Sequence, residues 1–197
     1  NRKFDVLFID FEAQYRHTIE HVEELKQLSQ IRDFYHIALR NAVSVLQPKW
    51  ICWEEESKDL WVRDMPEDCI NIKNCPFPWF KKGEEFEKFI VQFANWYHEK
   101  YNGKVACGIG IRTDESLNRF RTIAFQDRKV TYNKYQWTTK LKVNEKHIDV
   151  YNFYPIYDWA AEEIWGAVSK LNLKFNYIYE LMYKNGVSIY EQRLCQP

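Results

Sequence analysis

Arg112 and Arg119 are the side chains of this sequence best placed by type and spacing to hold an anion. They stand in the run Gly108-Ile109-Gly110-Ile111-Arg112-Thr113-Asp114-Glu115-Ser116, which continues to Asn118-Arg119. Glycine lets a backbone approach a ligand closely. A guanidinium just past a strand can grip two phosphate or sulfate oxygens at once. The two arginines sit two helical turns apart, so one helix face could present both. Asp114 is suited to cap that helix, with Glu115 and Ser116 near its start. The competing reading is a strand-to-helix turn whose arginines pair with neighbouring carboxylates in solvent.

Two other apolar runs end in residues that could face a ligand, since ligands of open parallel sheets gather at the carboxyl ends of strands. One closes on Asp10-Phe11-Glu12, the other on Pro155-Ile156-Tyr157-Asp158-Trp159. Asp158 reads mainly as a helix cap and Trp159 mainly as core. The cysteines carry a weaker signal. Cys69 and Cys75, with Cys52 and His98 farther off, form no C-x-x-C pair, so unliganded thiols are expected rather than a metal site. Cys107, in an apolar run, reads as a small buried hydrophobe. His17, His21 and His36 show no partner in the sequence. Residues 119–142 interleave Arg121, Arg128, Lys129, Lys134, Lys140 and Lys142 with Phe120, Phe125, Tyr132, Tyr135 and Trp137. That pattern suits single-stranded nucleic acid, a nucleotide base or a protein partner, but in a chain of neutral net charge a solvated hairpin is the favoured reading.

The elements that must position these groups follow from periodicity. Strands are expected over 4–9, 34–39, 104–111 and 148–151, the first a short apolar run closing on Asp10. Thr18 is suited to cap a helix in which Ile19, Val22, Leu25 and Leu28 recur at helical spacing. The clearest helix covers 84–100, stopped by Asn102-Gly103. Asp158 is expected to cap a helix running to about Ser169, and a shorter one runs from Tyr177 to Gly186. Residues 131–143 read as a hairpin or extended arm. Residues 47–80, rich in tryptophan and proline, read as an ordered insertion or long loop. Helices alternating with apolar strands predict an α/β fold, a mainly parallel twisted sheet with helices on both faces, in a single domain over 1–197.

Composition bounds the rest. The 197 residues carry 28 basic and 28 acidic side chains, so no global field points to nucleic acid or membrane. No apolar run reaches membrane-spanning length and no signal-peptide pattern opens the chain. Five scattered cysteines fit a reducing compartment, which makes the cytoplasm the expected location. The first residue, Asn1, lies close to an apparent strand, and the last residues follow a turn, the look of a piece of a longer protein.

Three segments carry a resemblance. GIRTDESLNR resembles the GxRxDES-type segment of the phosphoadenosine phosphosulfate reductase family, among the adenine-nucleotide α-hydrolases. KFDVLFIDFEAQYRHTIEHVEEL resembles that family's second strand and following helix. YPIYDWAAEEIWGAVSKLNLKFNYIYELMYKNGVSI resembles its PIxDW…SI stretch. They occur in the family's order. The aromatic insertion, with WICWEEESKDLWVRDMP, is similar to an uncharacterised subgroup that includes some regulators.

The resemblance implies a nucleotide α-hydrolase-like fold and an adenine nucleotide as partner, ATP or an adenosine phosphosulfate-type compound, with Mg as an optional companion ion. It assigns Gly110, Arg112, Asp114, Arg119 and Asp10 to the nucleotide or anion site, with Asp158 and Trp159 in support. Implied chemistries are splitting of ATP between its α and β phosphates, or attack of a cysteine on sulfur. The sequence departs from the family in three ways: no SGGKDS-like phosphate loop occurs in the chain, the DTG glycine is replaced by Glu12, and the reductase's cysteine motif is missing, with Cys195 only a poor match. The alternative is a non-catalytic regulatory module that binds nucleic acid or a protein partner.

Overall fold

The apolar run ahead of Asp10 forms strand β1 (Phe4–Asp10), and helix α1 (Arg16–Lys26) carries the chain back to β2 (Ile31–Ala38), which pairs with β1 in parallel. Such a parallel pair requires a crossover of this kind. The computed structural model describes residues 2–40, 42–43, 50–124 and 131–194. These belong to two units, one made of residues 1–86 and 174–197 and the other of residues 87–173. Residues 47–49 of the insertion, Phe125, Arg128 and Lys129 of the basic arm, and Cys195 lie outside the described residues.

In the first unit the parallel register runs from Val6 opposite Phe34 to Asp10 opposite Ala38. Thr18 does not cap α1, which starts two residues earlier; its hydroxyl instead accepts a hydrogen bond from Asn176 Nδ2 at 2.9 Å. The insertion is ordered over its described part. Strand β3 (Ala42–Val43) pairs antiparallel with β4 (Trp50–Ile51), and a 3₁₀ turn follows at Glu55–Leu60. Ile70 then bridges Ile37 in parallel, with Ile70 N–H donating to the His36 carbonyl at 2.7 Å and Ala38 N–H to the Ile70 carbonyl at 2.9 Å. The insertion thus lays a rung beside β2. Ile9, Ile37, Leu39, Trp53 and Phe77 are buried, so the core of this unit is shared between the sheet and the insertion. Helix α5 (Ile178–Lys184) ends as its sequence predicts, with Gly186 at φ 81° and Val187 N–H returning to the Met182 carbonyl.

Helix α2 (Phe86–Tyr101) leads into the second unit and buries Phe89, Phe93 and Ala94 along one face. Asn102, at φ 45°, stops it. Strand β5 (Val105–Gly108) is shorter than expected, although Ile109 N–H still donates to the Phe153 carbonyl at 3.0 Å. It pairs in parallel with β7 (Lys146–Phe153), which pairs antiparallel with β6 (Thr138–Val143), giving the order β5-β7-β6. The expected hairpin is therefore made by β6 with the strand that follows it, through a tight turn at Asn144 and Glu145, both with positive φ. Helices α3 (Leu117–Ala124) and α4 (Ala161–Lys170) complete the unit.

The fold is mixed α/β, with parallel strand pairs in two sheets, consistent with a nucleotide α-hydrolase-like architecture. Among the described residues no helix is long and apolar enough to cross a membrane.

Candidate functional site

The segment after β5 places its arginines by backbone rather than by one helix. Arg112 lies in extended backbone (φ −120°, ψ 144°), a short 3₁₀ turn covers Thr113–Glu115, and extended Ser116 precedes α3. The expectation that one helix face presents Arg112 and Arg119 is corrected here, because the helix starts only at Leu117. Asp114 does not cap it either. Ser116 does, its hydroxyl accepting the Arg119 N–H at 3.2 Å.

The two guanidinium groups nonetheless meet. Arg112 Nε lies 3.4 Å from one oxygen of Glu115, and Arg119 pairs with the other oxygen of the same carboxylate. Arg112 also donates to the Trp159 carbonyl at 3.0 Å and lies 3.4 Å from Asp114. Thr113 is tied to the Tyr157 carbonyl through both its N–H and its hydroxyl. The Tyr157–Trp159 loop therefore fixes where the Arg112 side chain starts and points. Trp159 contributes its backbone to this arrangement. Asp158 is exposed and does not cap α4: that helix begins three residues later, and Glu163 accepts the Ala160 N–H at 2.8 Å in its place. Beside Gly110 an added Cβ would meet only Ile156 Cδ1 at 3.9 Å, so the space there is open.

Asp10, in the first unit, is the hub of a buried polar cluster. It is fully buried, as is Glu12. One Asp10 oxygen accepts the Glu12 N–H at 2.9 Å and the other contacts His36 Nε2 at 2.8 Å, while Arg63 donates to both. Lys26 Nζ stands 3.0 Å from His36 Nδ1. An ammonium can only donate, so Nδ1 accepts and the ring hydrogen sits on Nε2, aimed at Asp10. Burial by itself would raise the pKa of Asp10, but the hydrogen bonds from His36 and Arg63 and the Arg63 charge outweigh it and leave it below its ordinary value.

Glu12 occupies the place of the missing glycine, and its backbone takes the left-handed conformation glycine favours, φ 69°. Its carboxylate supplies the compensation, accepting the N–H of Trp53 at 2.6 Å and of Val62 at 2.9 Å. Trp53 Nε1 donates back to the Asp10 carbonyl at 2.9 Å, and Arg63 Nε donates to the Glu12 carbonyl at 2.8 Å, with its guanidinium over the Trp53 ring. The insertion thus clasps the end of β1.

Asp10, His36 and Cys69 bring possible metal-ligand atoms within 4.8 Å of one another, a grouping different from the Cys69–Cys75 pair considered from sequence. Both Asp10 oxygens and both His36 nitrogens are already hydrogen-bonded, and a guanidinium charge touches the carboxylate, so this chemistry suits a hydrogen-bond hub better than a cation. Cys52 and Cys69 are fully buried. Burial first, and then the charges of Glu12 and Asp10, push the Cys52 thiol up to about 12. Burial, then Asp10 and Asp68, do the same to Cys69, also to about 12. Burial raises Cys75 and Cys107 as well.

The arginines do pair with neighbouring carboxylates, as the competing reading of the sequence has it, but sequence reasoning named none of three particular partners. Glu115 had a signal: it lies three residues after Arg112 and four before Arg119, the spacings at which side chains meet on successive turns. His36 and Arg63 had none that reached as far as Asp10.

Residues 1–185 match the phosphoadenosine phosphosulfate reductase domain. The "Uncharacterized protein YbdN" of Escherichia coli (strain K12) is 38% identical over 202 residues, a stretch that covers 100% of this chain and 48% of that protein. The chain thus spans about half the length of the curated relative it matches. No solved structure matches it. With the matched stretch running from β1 and its Asp10 tip through the Arg112–Arg119 segment to α5, the chain belongs to the phosphoadenosine phosphosulfate reductase domain family.

Proposed function

We propose that this domain binds an adenine nucleotide, with Arg112 and Arg119 taking its phosphate or sulfate oxygens, and that chemistry in the intact protein falls at the α-phosphate or sulfonate group. One observation carries the reading: two guanidinium groups, one from a turn and one from a helix, converge on a single carboxylate. A phosphate or sulfate entering there meets two fork-shaped donors already aimed at one point, and Glu115 holds that point in its absence. The open space beside Gly110 suits close approach of a ligand to the backbone. Arginines so placed would disperse charge that accumulates as a phosphoanhydride bond breaks.

The thiols set the order of the two implied chemistries. Attack on sulfur needs an accessible thiolate, and Cys52 and Cys69 are buried with pKa values near 12, while Cys75 and Cys107 are also raised. Nucleotide splitting or binding therefore ranks above reduction by these four cysteines. Asp10, with its oxygens already engaged, serves to shape the end of β1 rather than to meet ligand directly.

Isothermal titration of the intact protein with ATP and with adenosine phosphosulfate tests the reading. Heat of binding is expected for at least one of them, weakened by about 1.5–3 kcal/mol in Arg112→Ala, the scale of a lost charge-assisted contact. Absence of heat with both nucleotides, or an unchanged affinity in the variant, refutes it.

A further inference from the structure

We propose that the turn before β6 and the β6–β7 ribbon form a binding surface for single-stranded nucleic acid. The charge along the chain is uneven. Residues 119–142 contain seven basic side chains and one acidic, within a protein of zero formal net charge. The described part of that stretch displays aromatic rings beside the positive charge. Tyr132 and Tyr135 are 41% and 49% exposed. The Tyr135 ring stacks on Trp137 with centroids 5.1 Å apart and planes 27° from parallel, and Tyr132 meets Tyr151 edge-on at 5.3 Å. Lys140 pairs with Asp149 and Lys142 with Glu145, whereas exposed Lys134 and Lys146 have no ion pair among the described residues.

The platform is held in shape before any ligand arrives. Asn133 and Lys134 both adopt positive φ, 49° and 64°, which forces a tight turn that pushes Tyr132, Lys134 and Tyr135 outward. Buried Thr138 pins that turn from beneath: its hydroxyl donates to the Tyr135 carbonyl and accepts the Tyr132 N–H, both at 2.8 Å, while its own N–H reaches the Tyr135 carbonyl at 3.1 Å. A rigid display of rings gives up little side-chain entropy on binding.

Stacked aromatics beside Lys134, with Lys146 at the far end of the same ribbon, fit a strand whose bases are free to stack and whose phosphates need neutralising along its length. A duplex hides its base faces and would gain only the charge contribution. A protein partner of acidic character would use the lysines but leave the stacked pair without a defined role.

The test is a fluorescence-anisotropy titration of the intact protein with a labelled oligothymidylate of about 12 nucleotides, a duplex of the same length, and excess ATP as competitor. The single strand is expected to bind more tightly than the duplex and to lose affinity as salt rises, with intrinsic tryptophan emission quenched. ATP is expected not to displace it, which separates this surface from the Arg112 site. Tyr135→Ala should weaken the single strand by about tenfold, the range of one lost base stack, and Lys134→Glu should weaken it further at low salt. Both positions are exposed, so melting curves of the two variants should match that of the parent. Equal binding of duplex and single strand, full displacement by ATP, or unchanged affinity in both variants overturns the proposal.

Discussion

The Glu12 carboxylate accepts the backbone N–H of Trp53 at 2.6 Å, joining the tip of β1 to a segment 41 residues later. Replacing this side chain separates two effects. Glu12→Ala loses that bond and the one from Val62 but keeps a side chain in left-handed backbone, and should destabilise the protein by about 2–4 kcal/mol. Glu12→Gly loses the same bonds while relieving conformational strain of about 1 kcal/mol, so it should be the less damaging of the two. Urea unfolding of both variants checks the order; glycine worse than alanine would contradict it.

Acid should loosen the same cluster through Asp10. Its pKa lies below the ordinary 3.8 in the fold, so its contribution to stability is complete above that value and is lost as pH falls through the lower, folded one. Asp10→Asn removes that part of the pH dependence. It also leaves the Arg63 charge against a buried amide, at a cost of about 3 kcal/mol near neutrality. Unfolding measured at steps from neutral pH down to about pH 3 should show the parent and variant converging on the acid side. Parallel curves would remove Asp10 from the account of acid sensitivity.

Glu115 competes with any anion for the two arginines. Glu115→Gln should therefore raise ATP affinity by about three- to fivefold, a modest gain because the pair with Arg119 is half exposed and screened by solvent. Titration calorimetry on the variant gives the sign directly. A weaker affinity would mean that the carboxylate positions the arginines instead of occupying their ligand's place.

The two deeply buried thiols should be silent in the native state. With pKa values near 12, Cys52 and Cys69 hold about a thousandfold less thiolate at pH 8 than an ordinary thiol. Iodoacetamide labelling followed by peptide mass mapping should find both unmodified in the folded protein and modified in urea. Rapid native labelling of either would show that the insertion opens readily.

Periodicity carried the reading of the fold where burial is one-sided. Helix α2 was legible because Phe89 and Phe93 fall on one face, and β1 because its apolar run ends at Asp10. The ends of elements were less legible, because caps were chosen by local geometry: Ser116, not Asp114, precedes α3, and Glu163, not Asp158, serves the start of α4. The arginine pair was visible in the sequence, and so was its pairing with neighbouring carboxylates, but Glu115 was not singled out as the one both share. The partners of Asp10 lie 26 and 53 residues away, and one of them sits in a stretch with no repeating pattern, so no local rule could join them.

The rung that Ile70 adds beside Ile37 has a consequence for anyone who shortens this protein. A strand with an open flank offers its amide and carbonyl groups to any other extended chain, and such flanks seed self-association. Removing residues 50–80 as a dispensable adornment would uncover the outer side of β2. The product should come out of solution as aggregate before any question of catalysis could be put to it.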